Sequence, residues 1–186
     1  MPQVKKIIKC IKGDSLRDFF CRVGRFLIIR YIRIKNFLIR NFIKITSRKR
    51  YIIKEILGSK MYLDLTDTGI CQELLFNDIR EPLAIELVQK IIKPGDIIID
   101  IGANIGYYAL LEAKLTGGVG KVFALEPAAE NIKVLKKNVG LNNYRNIEIF
   151  QLAVGSKNGI LPFYLSKKCN WHSFLKSETL TPTIID

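Results

Sequence analysis

The chain has one histidine, one tryptophan and two methionines. Its four cysteines, Cys10, Cys21, Cys71 and Cys169, form no C-x-x-C pair. Zinc ribbons and disulfide-stapled scaffolds need closely spaced pairs, so neither is expected, and thiols kept reduced in a cytoplasm are the simpler reading. Cys169 and His172 stand at C-x-x-H spacing, but two ligands without a second pair do not make a metal site. Long apolar runs are missing too. Between residues 19 and 45 they are broken by Arg22, Arg25, Arg30, Arg33, Lys35 and Arg40, whereas a membrane span needs about 20 mostly apolar residues. The basic N-terminus is followed by no apolar core and small-residue cleavage site, so no signal peptide is expected. Internal repeats and low-complexity tracts are absent. Acids are few, 17 against 30 Lys+Arg, for a net charge of +13 over 186 residues.

What is present is unevenly distributed. Residues 1–54 hold 16 of the basic residues and only Asp14 and Asp18 as acids, a net +14, which leaves residues 55–186 at −1. A protein whose whole body grips nucleic acid would spread its charge more evenly. With 48% hydrophobic residues the chain can bury a core and is not disordered by composition. Three parts are expected: an extension over 1–50, a hairpin and lead-in helix over 51–96, and a cofactor-binding domain over 97–186.

Residues 16–45 contain no proline and favour helix. At 100° per residue, Arg22, Arg25, Arg30, Arg33, Arg40 and Lys44 share one sector. Phe20, Leu27, Tyr31, Leu38, Phe42 and Ile45 lie away from it, and Lys35 falls outside the basic sector. A basic amphipathic helix reads first as an element of an anionic membrane surface. A helix packed on the domain with a solvated basic face is the second reading, and a nucleic-acid arm the third. Ser47-Arg48-Lys49-Arg50 makes a polar break before the domain.

Beyond Tyr51 the period changes. Residues 51–57 and 60–65 read as strands around a Gly58-Ser59 turn, and residues 83–92 as a helix opened by Pro82. The continuous run Ile97-Ile98-Ile99-Asp100-Ile101 reads as a strand buried on both faces. Helices at 104–115 and 128–139 alternate with strands at 121–125 and 147–154. This β-α-β-α-β order implies a parallel, doubly wound α/β unit. Residues 160–165 read as an added antiparallel strand, and Thr183-Ile184-Ile185-Asp186 as the start of another.

The densest chemistry lies where the first parallel strand meets its helix, at Asp100-Ile101-Gly102-Ala103-Asn104-Ile105-Gly106-Tyr107-Tyr108. Open α/β sheets bind ligands at such turns, and a helix N-terminus offers N–H groups to an anion. The glycines are spaced G-x-x-x-G, so the dinucleotide fingerprint G-x-G-x-x-G is not met. Asp100 would repel a pyrophosphate and suits an amine-bearing ligand. Glu126, ending the second strand, can accept both hydroxyls of a ribose. Together these describe a site for S-adenosylmethionine. Taken singly, each has a plainer reading: turn glycines, a helix N-terminal acid, a solvated loop acid. Tyr107 and Tyr108 are expected to pack rather than bind ligand.

These motifs, with Leu125-Glu126-Pro127, Lys136-Lys137-Asn138-Val139-Gly140-Leu141-Asn142-Asn143, Ala153-Val154-Gly155 and Arg80-Glu81-Pro82, resemble the FkbM-type S-adenosylmethionine-dependent methyltransferases over roughly residues 58–166. The resemblance implies a Rossmann-like class I methyltransferase fold, here the N-terminal half of its parallel sheet. It also implies O-methylation of a hydroxyl on a saccharide or related metabolite. It places Asp100 near the methionine amino group and Gly102, Ala103, Asn104 and Gly106 along the methionine portion. It sets Glu126 on the ribose, Pro127 beside the adenine, and Ala153 and Val154 at the adenine edge. Ala128 departs from the polar residue that commonly follows Glu-Pro.

His172, in Asn170-Trp171-His172-Ser173, is the candidate general base, with a solvent-facing loop histidine as the plainer alternative; Trp171 is either an acceptor-stacking or a core residue. The family's later half and its acceptor walls are not seen in this sequence, which therefore reads as truncated. The open edge of the first strand would be covered by a partner or a second copy. Two other functions compete: a nucleic-acid methyltransferase using the basic arm, and a non-catalytic remnant that binds membrane or cofactor. Location is expected to be cytoplasmic, peripheral to a membrane.

Overall fold

The computed structural model describes residues 16–47, 50–156, 159–165 and 181–185. The chain divides into two units at residues 48 and 49.

The first unit is one helix, α1 (Leu16–Ser47). Large apolar side chains stand out along its length: Leu27 is 58% exposed, Tyr31 66%, Leu38 60% and Ile45 75%. Helix formation here follows the sequence expectation, because a proline-free run rich in Leu, Ile, Arg and Lys meets no breaker.

The second unit opens with a hairpin, β1 (Tyr51–Ile56) and β2 (Ser59–Asp64), paired antiparallel with Ile56 opposite Ser59. Its turn residues are Leu57 and Gly58, at φ 53° and 78°. Both are left-handed, as a two-residue primed turn requires, so the turn sits one residue earlier than expected. Helices α2 (Ile70–Phe76) and α3 (Pro82–Ile91) follow. Then come β3 (Ile97–Ile101), α4 (Tyr107–Thr116), β4 (Lys121–Leu125), α5 (Ala129–Leu141) and β5 (Ile147–Phe150). The three strands form a parallel sheet in the order β3-β4-β5, with Asp100 opposite Ala124 and Ala124 opposite Ile149.

The core sits where the helices meet one face of this sheet. Ala109 and Ala113 of α4, Val122 and Ala124 of β4 and Leu135 of α5 are all buried together, with Ile98 and Ile149 against them. Small alanines let α4 approach the strands closely. The hairpin joins this body through α5. Asn138, fully buried, accepts the Tyr62 N–H at 2.7 Å and donates to the Ile105 carbonyl at 2.8 Å.

Three expectations change. The strand Ile97–Ile101 is not buried on both faces: Ile97, Ile99 and Ile101 are 72%, 63% and 62% exposed. An apolar run reports that both faces can be covered; whether they are depends on elements elsewhere in the fold, and the buried cluster around these strands lies on one face only. The strand expected to run to residue 154 ends at Phe150, because its ladder with β4 ends where Leu125 pairs with Phe150. Finally, β7 (Thr181–Ile185) is the return strand of β6 (Leu161–Leu165), paired antiparallel with Leu161 opposite Ile185.

Candidate active site

The turn after β3 has the shape its residues demand. Gly102 lies at φ 84°, Asn104 at φ 51° and Gly106 at φ 97°, so the backbone passes through left-handed conformations three times before α4 begins at Tyr107. Asn tolerates that region better than other side-chain residues, and Gly is indifferent to it. This is why the helix starts three residues later than the expected residue 104. A Cβ on Gly106 would lie 2.6 Å from Leu135 Cδ1, whereas one on Gly102 would meet nothing within 4 Å. One glycine is needed for packing; the other opens onto space.

The turn is pinned to the end of β4. The N–H groups of Gly102 and Ala103 both donate to the Leu125 carbonyl, at 2.8 and 3.0 Å. The Asn104 N–H donates to Glu126 Oε2 at 2.9 Å. Glu126 Oε1 accepts from the Ala128 N–H at 2.8 Å and from Asn131 Nδ2 at 3.1 Å. Glu126 is therefore buried, at 4% exposure, and held by three protein donors. Each carboxylate oxygen can take about two hydrogen bonds. Oε2 has room for one more donor, and Oε1 has none. The expectation that Glu126 accepts both ribose hydroxyls narrows to one unless a protein bond is given up. Burial raises its pKa, and the donors from Ala128, Asn131 and Asn104 pull the other way.

Asp100 faces the helix side. The backbone N–H of Ala109 in the first turn of α4 favours its charged form, yet burial and the neighbouring Glu126 charge push its pKa up to about 6. Its Oδ2 is buried without a hydrogen-bond partner, and so is Oε2 of Glu112. Glu112, on α4, was not singled out from the sequence. It is 8% exposed, and burial followed by the Asp100 charge raises its pKa to about 8. A glutamate inside the helix pattern Tyr107–Thr116 gives no signal that it will be sealed beside a second acid. Asp100, Glu112 and Glu126 thus form a buried acidic group, and among the described residues none of them has a salt bridge.

Around this group the expected residues fall as follows. Ala103 and Gly106 are buried, Asn104 and Pro127 are half-buried, and Gly102 is exposed at the turn. Ala153 is half-buried and Val154 exposed, both past the end of β5. Ala128 forgoes a side-chain cap on α5 and instead packs, 2% exposed, against Phe163 of β6. His172 and Trp171, with the C-x-x-H pair they adjoin, lie outside the described residues.

The two tyrosines pack, as expected, and also do something the sequence did not disclose. The Tyr107 hydroxyl accepts the Arg80 N–H and donates to the Arg80 carbonyl, both at 2.8 Å. The Tyr108 hydroxyl donates to Glu81 Oε2 at 2.7 Å. Glu81 itself is left-handed, at φ 54° and ψ 58°, as the N-cap of α3. The Arg80-Glu81-Pro82 motif is thereby held against the first turn of α4, and its strained residue is over-determined by neighbours. Tyr107→Phe leaves two backbone groups unpaired, so a loss of about 2–4 kcal/mol in urea unfolding is expected. Tyr108→Phe, whose partner is half-exposed, should stay within about 1 kcal/mol.

Parallel strands, a Gly turn at the carboxyl end of the first and an acid at the end of the second define a Rossmann-like α/β unit. Residues 100–184 match the model of the methyltransferase FkbM domain, and this segment belongs to that family, as the resemblance implied. Similar proteins include the ribosomal protein L11 methyltransferases of Caldicellulosiruptor saccharolyticus, 44% identical over 69 residues, and of Caldanaerobacter subterraneus, 32% identical over 69 residues. Each match takes in 37% of this chain and 22% of the relative, so the matched part spans about a fifth of those proteins' length. Among solved structures, M. jannaschii TYW2 in complex with AdoMet is 20% identical at a TM-score of 0.43, covering 56% of this chain and 44% of that one. P. horikoshii TYW2 in complex with MeSAdo is 22% identical at a TM-score of 0.43, over 56% and 36%.

Proposed function

We propose that the domain binds S-adenosylmethionine and catalyses methyl transfer to a hydroxyl of a saccharide or related metabolite. The observation that carries the first half is the buried acidic group. Asp100 has an oxygen with no partner, at a turn whose Gly102 opens onto space, and a cationic ligand supplies what that oxygen lacks. Asp100 then holds the amino group, the 102–104 backbone lines the chain of the ligand, and Glu126 Oε2 accepts one ribose hydroxyl. The bound cofactor supplies an electrophilic methyl on a sulfonium. The protein's part is to hold an acceptor oxygen in line and exclude water, and orientation can contribute about 7–11 kcal/mol. His172 is our candidate for the base.

The acceptor class rests on the family resemblance and on charge. The near-neutral domain does not present the basic surface that a polyanionic acceptor selects. The names of the curated relatives favour a second reading, a ribosomal protein as acceptor.

Titration calorimetry tests the cofactor reading. Only ionised Asp100 attracts the amine, and its pKa of about 6 makes it mostly charged at pH 7 and mostly neutral at pH 5. The dissociation constant should therefore rise about tenfold from pH 7 to pH 5. Asp100→Asn should weaken binding and abolish that pH dependence, and Glu126→Ala should weaken binding at both pH values. Absence of binding by the unaltered chain would sink the proposal. A methyl-transfer screen of saccharides, ribosomal protein L11 and RNA then separates the acceptors, with His172→Ala testing the base.

A further inference from the structure

Helix α1 is a unit of its own. Its 32 residues extend roughly 48 Å at 1.5 Å per residue. Arg22, Arg25, Arg30 and Arg33 are exposed on one side. The opposite side carries Leu27, Tyr31, Ile34, Leu38 and Ile45, between 51% and 75% exposed. Among the described residues no helix is long and apolar enough to cross a membrane, because an arginine or lysine interrupts every stretch of a few residues. Basic residues other than Lys35 gather on one side, interleaved with exposed Phe26, Ile29 and Phe37, and the other side is mainly apolar.

We propose that α1 lies in the plane of an anionic lipid membrane, its leucines and isoleucines in the acyl boundary and its arginines at the lipid phosphates. Charge complementarity selects this occupant. An aqueous protein groove would bury the apolar side but leave the arginine sector without an anion. A nucleic acid would satisfy the arginines but leave Leu27, Leu38 and Ile45 in water. Only an anionic interface takes both faces at once.

Co-sedimentation of the full chain with phosphatidylcholine vesicles, with and without phosphatidylglycerol, tests this. Partitioning should be at least about tenfold stronger on the anionic vesicles and should weaken as salt rises. Changing Arg25, Arg30 and Arg33 together to Gln should lower it on the order of 10²-fold, while changing the same three to Lys should retain it. Leu38→Asp should weaken binding without altering charge on the basic face. Circular dichroism checks that each variant keeps its helix; where the Gln variant does not, the Leu38→Asp and Lys variants decide. Equal binding to both vesicle types, no binding to either, undiminished binding by the Gln variant, or capture of RNA in preference to anionic vesicles would each overturn the proposal.

Discussion

Gly106→Val is expected to cost the domain about 3 kcal/mol or more, while Gly102→Arg, four residues earlier on the same turn, costs only about 1–2 kcal/mol and abolishes cofactor binding. Both glycines are left-handed, at φ 97° and 84°, so both substitutions carry the steric cost of that region. They differ in what surrounds them. At Gly106 the new Cβ meets Leu135 Cδ1 at 2.6 Å, and Leu135 is fully buried between α4, α5 and the sheet. The leucine cannot swing aside without opening the core, so overpacking adds to the strain. At Gly102 nothing lies within 4 Å, and the arginine occupies the space a ligand needs. Gly102→Ala, equally strained but small, should still bind. Urea unfolding and titration calorimetry read the two effects separately. A Gly102→Arg protein that binds S-adenosylmethionine as well as the unaltered chain would remove this turn from the site.

The domain should also be most stable in mild acid and lose stability toward neutral and alkaline pH. The sign follows from the direction of the shifts. Glu112 and Asp100 have pKa values raised by burial, to about 8 and about 6, above those of an unfolded chain. The folded state therefore holds more protons than the unfolded one between the two values, and stability falls as pH rises through that window. Below the unfolded values of 4.5 and 3.8 both groups are neutral in either state and cost nothing. Asp64 is shifted the other way, lowered by its bonds to Arg50 and Thr66. Its contribution is present above its unfolded value of 3.8 and is lost as pH falls through its folded pKa. For these groups the optimum accordingly lies near or just below about pH 4, where the two buried acids are still largely neutral in the unfolded chain and Asp64 is still largely ionised in the folded one. Between pH 5 and pH 8.5 the loss from Glu112 should be on the order of 3 kcal/mol. Urea midpoints across this range measure it, and Glu112→Gln should flatten most of the slope. An unchanged slope in that variant would mean Glu112 is not the group that titrates. Saturating cofactor should reduce the part of the loss that belongs to Asp100, since a cation beside its carboxylate lowers its pKa.

Much of this protein was legible in order along the chain. The basic helix, the hairpin, the alternation of strands and helices and the turn at Asp100–Gly106 were all read within a few residues of where they stand. Each is a local property: side-chain periodicity, a proline at a helix start, glycines at a tight turn, an apolar strand run. The site's two acids, Asp100 and Glu126, could be named for the same reason, since the ends of parallel strands announce themselves in sequence.

What sequence could not disclose depends on residues far apart in the chain meeting in space. Glu112 looks like any exposed helical glutamate until the helix is laid on β3 and its carboxylate is sealed beside Asp100. Glu126 looked available to a ribose until the turn of β3 and the start of α5 placed three donors on it. Tyr107 and Tyr108 packed as expected, but that they hold the strained Glu81 segment required α3 and α4 to be neighbours. The exposure of Ile97, Ile99 and Ile101 is of the same kind, because an apolar residue specifies that it can be buried, not by what. The sequence by itself thus determined most of the elements, though not α2, with their order and the chemical types at the strand ends. Tertiary structure alone decided which of those groups are desolvated, which are already bonded and which still lack a partner, because desolvation and hydrogen bonding are sums over neighbours that the chain brings together only by folding.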